Sequence, residues 1–106
     1  MSSSEKFSGL PGAELVAQGL RDAAAGVESS AALLIAIGAP RLRRLGLPIP
    51  ERLPADGELR LYRGLLAAKS ADAYSEYNAL IRELVSFERA LEHRQERARA
   101  ARATSR

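Results

Sequence analysis

The stretch ADAYSEYNALIRELVSFERALEHRQER, residues 71–97, decides the fold that the sequence predicts. Apolar side chains recur in it every three or four residues, which is the repeat of one face of an α-helix. The stripe consists of Ala73, Tyr77, Leu80, Leu84, Phe87 and Leu91, widened by Ile81 and Val85. Ser70 is a suitable N-cap for this helix, which would be about 40 Å long. Without a break near Ser70, residues 57–98 would form a rod of about 63 Å, too long for a chain of this size to cover.

A second stripe of the same kind occupies residues 11–38. Its members are Val16, Leu20, Ala23, Val27, Ala31, Leu34 and Gly38. Because the stripe keeps its phase throughout, we predict one helix of about 27 residues that begins at Pro11. The alternative is a break at Gly26, since glycine ends helices and the serines at 29 and 30 can begin a new one.

Between the two stripes lies a proline-rich connector, APRLRRLGLPIPERLPA, residues 39–55. Its prolines at positions 40, 48, 50 and 54 predict that no continuous helix crosses it, beyond one turn over Arg41 to Leu45. Its five leucine and isoleucine residues make it too apolar for a free linker. We therefore expect an ordered segment folded over one end of the bundle, followed by a shorter helix that Asp56 can cap.

The composition supports an all-α fold. The chain has 106 residues, which is the length of one domain. Of these, 20 are Ala and 16 are Leu, whereas three Val and four Ile are too few β-branched residues for a sheet. We predict a small bundle of two long helices and one shorter helix with the ordered connector. Residues 1–10 are expected to be a flexible leader, residues 11–93 the helical domain, and residues 94–106 a fraying helix that becomes disordered. Since alanine buries little surface, we expect a second copy of the chain to complete the core as a homodimer.

Charge is distributed unevenly along the chain. Its net charge is +3. Residues 94–106 carry five Arg and one Glu, a sum of +4, so the other 93 residues sum to −1. The basicity therefore belongs to the arginine-rich tail, and the nearly neutral body is a weak candidate for a polyanion-binding surface.

Composition excludes most catalytic chemistry. With no Cys and one His, the chain has no thiol nucleophile, zinc cluster or multi-histidine metal site, and we expect neither cofactor nor metal. The segment from Gly64 to Ser70 is not a phosphate-binding loop, because the two positions that need glycine are Arg63 and Ala68. A helical ribonuclease centred on Arg89 and His93, which share a helix face, is a further alternative that would need a second His from a dimer.

Two surfaces are candidate binding sites. On the last helix an acidic ridge and a basic ridge run side by side, a pattern that is self-complementary to an antiparallel copy of the same helix. This predicted self-association surface consists of Phe87, Glu88, Arg89, Leu91, Glu92, His93, Glu96 and Arg97. The predicted partner-binding surface in the connector consists of Arg41, Arg43, Arg44, Leu45 and Leu47. The alternatives are a solvated charged face and a basic turn at a helix end, where cations are favourable. Tyr62, Tyr74 and Tyr77 are expected in the core or at its rim.

The function predicted from these features is non-catalytic. We expect a small helical interaction or adaptor protein that self-associates and binds a protein partner. The alternative is a nucleic-acid-associated accessory protein that uses the tail and the arginines at 41–44. No secretory signal is visible and the longest apolar run, residues 31–39, is too short to cross a bilayer, so no membrane partner and a cytoplasmic location are expected. The excess of Arg over Lys, with so much Ala, is typical of GC-rich bacterial genomes.

Overall fold

The computed structural model describes residues 7–68 and 71–104. Its helices are α1 (Ala13–Ala24), α2 (Ser30–Arg44), α3 (Gly57–Ala67) and α4 (Ala73–Thr104). No strand occurs in these two ranges, which confirms the all-α prediction, with four helices where three were expected. The bundle is elongated, 56 Å by 26 Å by 23 Å, because α4 runs along its full length.

The predicted single helix from Pro11 to Gly38 is wrong, because the chain turns at Gly26. Gly26 has a φ of +76°, a left-handed conformation that ends α1. Ser29 then caps α2: its hydroxyl oxygen accepts a hydrogen bond from the backbone N–H of Ala32 at 3.1 Å and donates one to Asp22 at 2.6 Å. At the end of α1, the N–H groups of Gly26 and Val27 donate to the carbonyls of Ala23 and Asp22. The two halves of the apolar stripe therefore lie on different helices, α1 and α2, and both pack into one core.

The prediction that Pro40 stops the helix is also wrong, since α2 contains Pro40 and ends at Arg44. Proline removes one backbone donor from the helix. However, Pro40 is exposed while Ala39 and Leu42 beside it are buried, so core packing on the other face keeps the helix continuous. The irregular connector is correspondingly shorter than predicted and begins after α2.

The connector begins with a helix-ending motif that fixes its direction. Gly46 has a φ of +91°, its N–H donates to the carbonyl of Arg43, and the N–H of Leu47 donates to that of Leu42. These are the two bonds of a Schellman motif, which brings the residue after the glycine against the last turn of the helix. Leu42 and Leu47 are accordingly both buried.

Helices α3 and α4 are separate, as expected, but α4 is capped by Asp72 and not by Ser70 as predicted. Lys69 and Ser70 lie outside the described residues, and Asp72 caps α4 by accepting from the backbone N–H of Ser75 at 3.0 Å. This hydrogen bond, together with one from the Ser75 hydroxyl, lowers the pKa of Asp72. Helix α4 extends to Thr104, beyond the predicted end at residue 97. Its last turns are rich in Ala and Arg, both strong helix formers.

The core lies between α2 and the other three helices. Its largest fully buried side chains are Leu34, Ile35, Leu42, Leu61 and Phe87. The N-terminal segment contributes as well: Phe7 is 3% exposed and packs edge-to-face on Phe87, with ring centroids 5.2 Å apart. Of the predicted leader, residues 1–6 lie outside the described residues, and Phe7 is a core residue.

None of the four helices in the described part of the chain combines the length and apolarity that crossing a membrane requires.

Gly19 allows α1 to lie close to α2, and we expect that Gly19→Ala destabilises the protein by about 1–3 kcal/mol. An added Cβ would collide with the carbonyl oxygen of Ala31 and lie 2.7 Å from Cγ1 of Ile35. Gly64→Ala is the matched control, because Gly64 is also inside a helix but has nothing within 4 Å of the new Cβ. That variant should be stabilised by about 0.5–1 kcal/mol. Urea denaturation of both variants measures the difference, and equal stabilities would contradict the close approach.

Candidate functional site

The crossing of α2 and α4 brings the two sequence-predicted sites together. A Cβ added at Gly38 would lie 2.9 Å from Oε2 of Glu88 and 3.2 Å from Leu84, so the missing side chain makes room for α4. Glu88 is consequently 5% exposed, although it belongs to the ridge predicted to face solvent. The carboxylate of Glu88 therefore lies in the interface between α2 and α4.

Arg41 holds this carboxylate and the next one along α4. Its Nη1 lies 3.5 Å from Oε1 of Glu88, and its Nη2 donates to Oε1 of Glu92 at 2.9 Å. Burial raises the pKa of Glu88, and the positive charges of Arg41 and Arg44 offset only part of this effect. Arg41, Glu88 and Glu92 therefore form an ion-pair cluster. This cluster joins the predicted partner-binding surface to the predicted self-association surface within one chain.

A concavity of about 270 Å³ opens beside the cluster. Its walls are Ile37, Gly38, Pro40, Arg41, Arg44, Leu84 and Glu88. These residues include no hydroxyl, thiol or imidazole group, and their one acidic group is the carboxylate of Glu88, which Arg41 holds. Across residues 7–68 and 71–104, no three His, Asp or Glu side chains come together as a metal site would require. The arrangement is an ion-pair clamp between α2 and α4.

Several of the other predicted partner-binding residues make contacts within the chain. Leu45 and Leu47 are 9% and 8% exposed and belong to the core. Arg43 donates to the carbonyl of Pro50 at 2.9 Å, and Arg44 is exposed. The carbonyl of Leu45 accepts from Gln95 of α4 at 2.7 Å. Of that predicted surface, the arginines rather than the leucines reach solvent.

The predicted self-association residues divide between core and surface. Phe87 and Leu91 are buried together with Glu88, whereas five others are exposed on the outer side of α4. The exposed members are Arg89, Glu92, His93, Glu96 and Arg97.

A second surface, which sequence reasoning missed, lies where α3 meets α4. Tyr62 and Tyr77 touch edge-to-face there, with ring centroids 6.0 Å apart. On the same helix faces as these two tyrosines, Leu59, Leu66 and Tyr74 are 46%, 52% and 66% exposed. We call the surface formed by Leu59, Tyr62, Leu66, Tyr74, Tyr77 and Ile81 the α3/α4 seam. The signal in the sequence was the breadth of apolar spacing on α3, which exceeds what one buried face needs.

The seam concentrates the chain's surface apolarity. Three of the four exposed large apolar side chains in the described ranges belong to it, the fourth being Val27. All three tyrosines of the chain lie in it. Such a cluster of exposed Leu and Tyr marks a binding surface more often than isolated exposed residues do.

Comparison with known proteins assigns no family to the chain. No protein-family profile matches it, and neither a curated protein nor a solved structure shows significant similarity.

Replacement of the clamp carboxylate should change how stability depends on pH. Because the pKa of Glu88 is raised in the folded state, its contribution to stability is complete below the ordinary glutamate value of about 4.3 and is lost as pH rises through the higher folded value. Glu88→Gln removes this contribution. We therefore expect the stability of the wild type relative to Glu88→Gln to fall as pH is raised across this window.

Thermal unfolding of both proteins between pH 4 and pH 7 measures this difference. Glu96→Gln is the matched control, because Glu96 is exposed one turn beyond Glu92 and makes no ion pair among the described residues. A constant difference between the wild type and Glu88→Gln across the range would contradict the buried carboxylate.

Proposed function

We propose that this protein is a non-catalytic helical interaction module that binds a protein partner at the α3/α4 seam. The observation that carries the proposal is the presence of two exposed leucines and all three tyrosines, one of them exposed, on the adjoining faces of two helices. The leucine and tyrosine side chains of the seam expose apolar area that is not buried in the core of the bundle.

The chemistry of the seam favours a protein over a small molecule. Tyrosine is enriched at the energetic centres of protein interfaces, because it adds large contact area with little loss of side-chain freedom. The seam is an open surface along two helices rather than an enclosed cavity. Apolar side chains from two adjoining helices offer a surface on which the apolar face of a partner helix can lie.

The non-catalytic part of the proposal is supported by the side chains present. Arg89 and His93, the residues of the ribonuclease alternative, are both on the exposed outer side of α4. The walls of the concavity beside Glu88 carry no hydroxyl, thiol or imidazole group.

Self-association through the outer side of α4 is part of the proposal. Its support is the alternation of Arg89, Glu92, His93, Glu96 and Arg97 on exposed turns. Glu92 is already paired with Arg41, so Glu96 is the acidic group of this stripe that stands ready for a second copy.

Removal of the seam's exposed side chains should abolish partner binding. In Leu59→Ser/Leu66→Ser/Tyr74→Ser the exposed apolar area of the seam is removed, while the buried α3 residues Leu61 and Leu65 remain to hold the fold. We expect a protein that co-purifies stoichiometrically with the wild type from its native host to be absent from preparations of this variant, because truncation of interface anchors costs about 2 kcal/mol or more each.

Val27→Ser is the matched control, since Val27 is 51% exposed but lies in the turn between α1 and α2. It should retain the partner. Retention of the same partner by the triple seam variant would remove the seam from the proposal, provided that both variants keep the wild-type helical content.

A nucleic-acid-associated role is the second candidate, and it is favoured by the course of α4. The helix continues to Thr104, and its last nine residues are all exposed, with Arg97, Arg99 and Arg102 among them. A basic helix that projects from a bundle can lie along a phosphate backbone.

Deletion of residues 98–106 tests this role. The cut leaves Arg94 and Gln95, which hydrogen-bond to Ser8 and Leu45, so the bundle keeps its packing against α4. For a nucleic-acid-binding protein, affinity for a DNA duplex should drop, and the slope of log K against log salt should decrease by about 0.9 for each phosphate that the shortened helix no longer neutralises. An unchanged slope would eliminate the basic end of α4 as the binding element.

A further inference from the structure

We propose that a cavity between the N-terminal segment, the connector and α4 binds a small amphipathic carboxylate, an apolar chain of about eight carbons that ends in one carboxyl group. The cavity is separate from the α3/α4 seam, because Arg94 in its wall lies about 25 Å along α4 from Tyr77 of the seam. Support comes from the apolar walls of the cavity, from the donor groups left over in them and from the charge of this end of the bundle.

The walls of the cavity are apolar and are held in place by the core. Its volume is about 360 Å³, within the range of small-molecule sites, and gives room for about ten non-hydrogen atoms. Four of its apolar residues are at most 9% exposed and belong to the core. The apolar wall residues are Phe7, Leu45, Leu47, Pro48, Leu91 and Ala98. A ligand therefore needs an apolar body to fill this space.

Arg94 is the charged residue of the wall, and most of its hydrogen-bonding capacity is unused. It is half-buried, and its Nη1 donates to the carbonyl of Ser8 at 3.3 Å, a long hydrogen bond. Across the described part of the chain it forms no ion pair. A guanidinium carries several N–H donors in a planar fork that matches the geometry of a carboxylate. Arg94 can therefore hold a carboxylate at the cavity.

Two carbonyl groups of the wall already have donors. The side-chain amide of Gln95 donates to the carbonyl of Leu45 at 2.7 Å, and the backbone N–H of Ile49 donates to the carbonyl of Leu47 at 2.9 Å. The group that remains for a ligand is thus the donor-rich guanidinium of Arg94. Such a wall is complementary to a ligand that brings an acceptor.

The charges at this end of the bundle favour an anion. The last turn of α2 lies beside α4 here, since Arg41 pairs with Glu92. Residues 41–51 and 88–102 together contain eight Arg and four Glu, a sum of +4, whereas the other described residues sum to −3. An anionic ligand is therefore attracted to this end. A nucleic acid would share this attraction, but it brings no apolar chain to fill the cavity.

The test uses three probes with the same apolar chain, octanoate, octan-1-ol and octylammonium, which differ in the charge of the head group. Binding is followed by NMR through the methyl signals of Leu45, Leu47 and Leu91, which line the cavity. The methyl signals of Leu59 and Leu66 in the seam report binding elsewhere in the same sample. The affinities for the three probes then measure the preference for an anion.

We expect octanoate to bind at least about ten-fold more tightly than octan-1-ol, because hydrogen bonds between charged groups are stronger than those between neutral groups. Octylammonium should bind most weakly. In Arg94→Gln, octanoate and octan-1-ol should bind equally. Arg97→Gln removes the same charge one turn along α4, from a residue outside the wall, and should keep the wild-type order.

A second pair of variants tests the location. In Ala98→Phe a large side chain is added at the cavity wall, and octanoate affinity should fall at least about ten-fold, since the space is no longer free. Ala100→Phe is the matched control, because Ala100 is exposed on the same helix and is not part of the wall. It should bind octanoate as the wild type does.

Several outcomes would overturn the inference. Equal affinities of the wild type for octanoate and octan-1-ol would remove the carboxylate, and shifts confined to Leu59 and Leu66 would remove the cavity. Absence of any shift would reject both. Glu5 lies outside the described residues, two positions before Phe7, and Glu5→Gln should leave octanoate affinity unchanged. A ten-fold gain in that variant would identify the chain's own carboxylate as the occupant.

Discussion

The close approach of three helices to α2 is the constraint on which the rest of this structure depends. Each approach occurs at a glycine: Gly19 of α1 lies against the backbone at Ala31, Gly57 of α3 against Leu33, and Gly38 of α2 itself faces α4. A core built largely from Ala and Leu supplies little area per residue. Removing a side chain at each crossing lets the helices come close enough for these small residues to pack without voids.

The same close packing explains why an acidic residue became part of the interior. Because Gly38 admits α4 so closely, Glu88 enters the crossing, and Arg41 reaches across from α2 to neutralise it. Such a buried pair is a weak source of net stability, since both groups lose hydration. It does restrict how the two helices can be aligned, because displacement along the axis would leave a buried carboxylate unpaired.

The arrangement around α2 also determines which apolar residues stay outside. Helix α3 carries apolar side chains on more of its circumference than α2 can cover. Leu61 and Leu65 face the core, and Leu59 and Leu66 are left beside the tyrosines of the seam. The surface proposed for partner binding is thus the apolar excess that remains after the bundle has satisfied its own core.

The sequence by itself determined the all-α class, because apolar spacing of three and four residues and the scarcity of β-branched residues both exclude a sheet. The sequence also contained the signals for the turn, Gly26 and Ser29, but the prediction gave more weight to the continuous apolar stripe. Only the tertiary structure decided that α2 continues through Pro40, since packing on its buried face compensates for the missing donor.

The candidate sites depended still more on tertiary structure. Periodicity identifies the side of a helix on which a residue lies but not which element stands opposite. Glu88 and Glu92 therefore looked alike, although a glycine fifty residues earlier buries the first and leaves the second exposed. For the same reason, helical spacing does not separate Leu59 from Leu65, and only the position of α2 made Leu65 a core residue and Leu59 part of a surface.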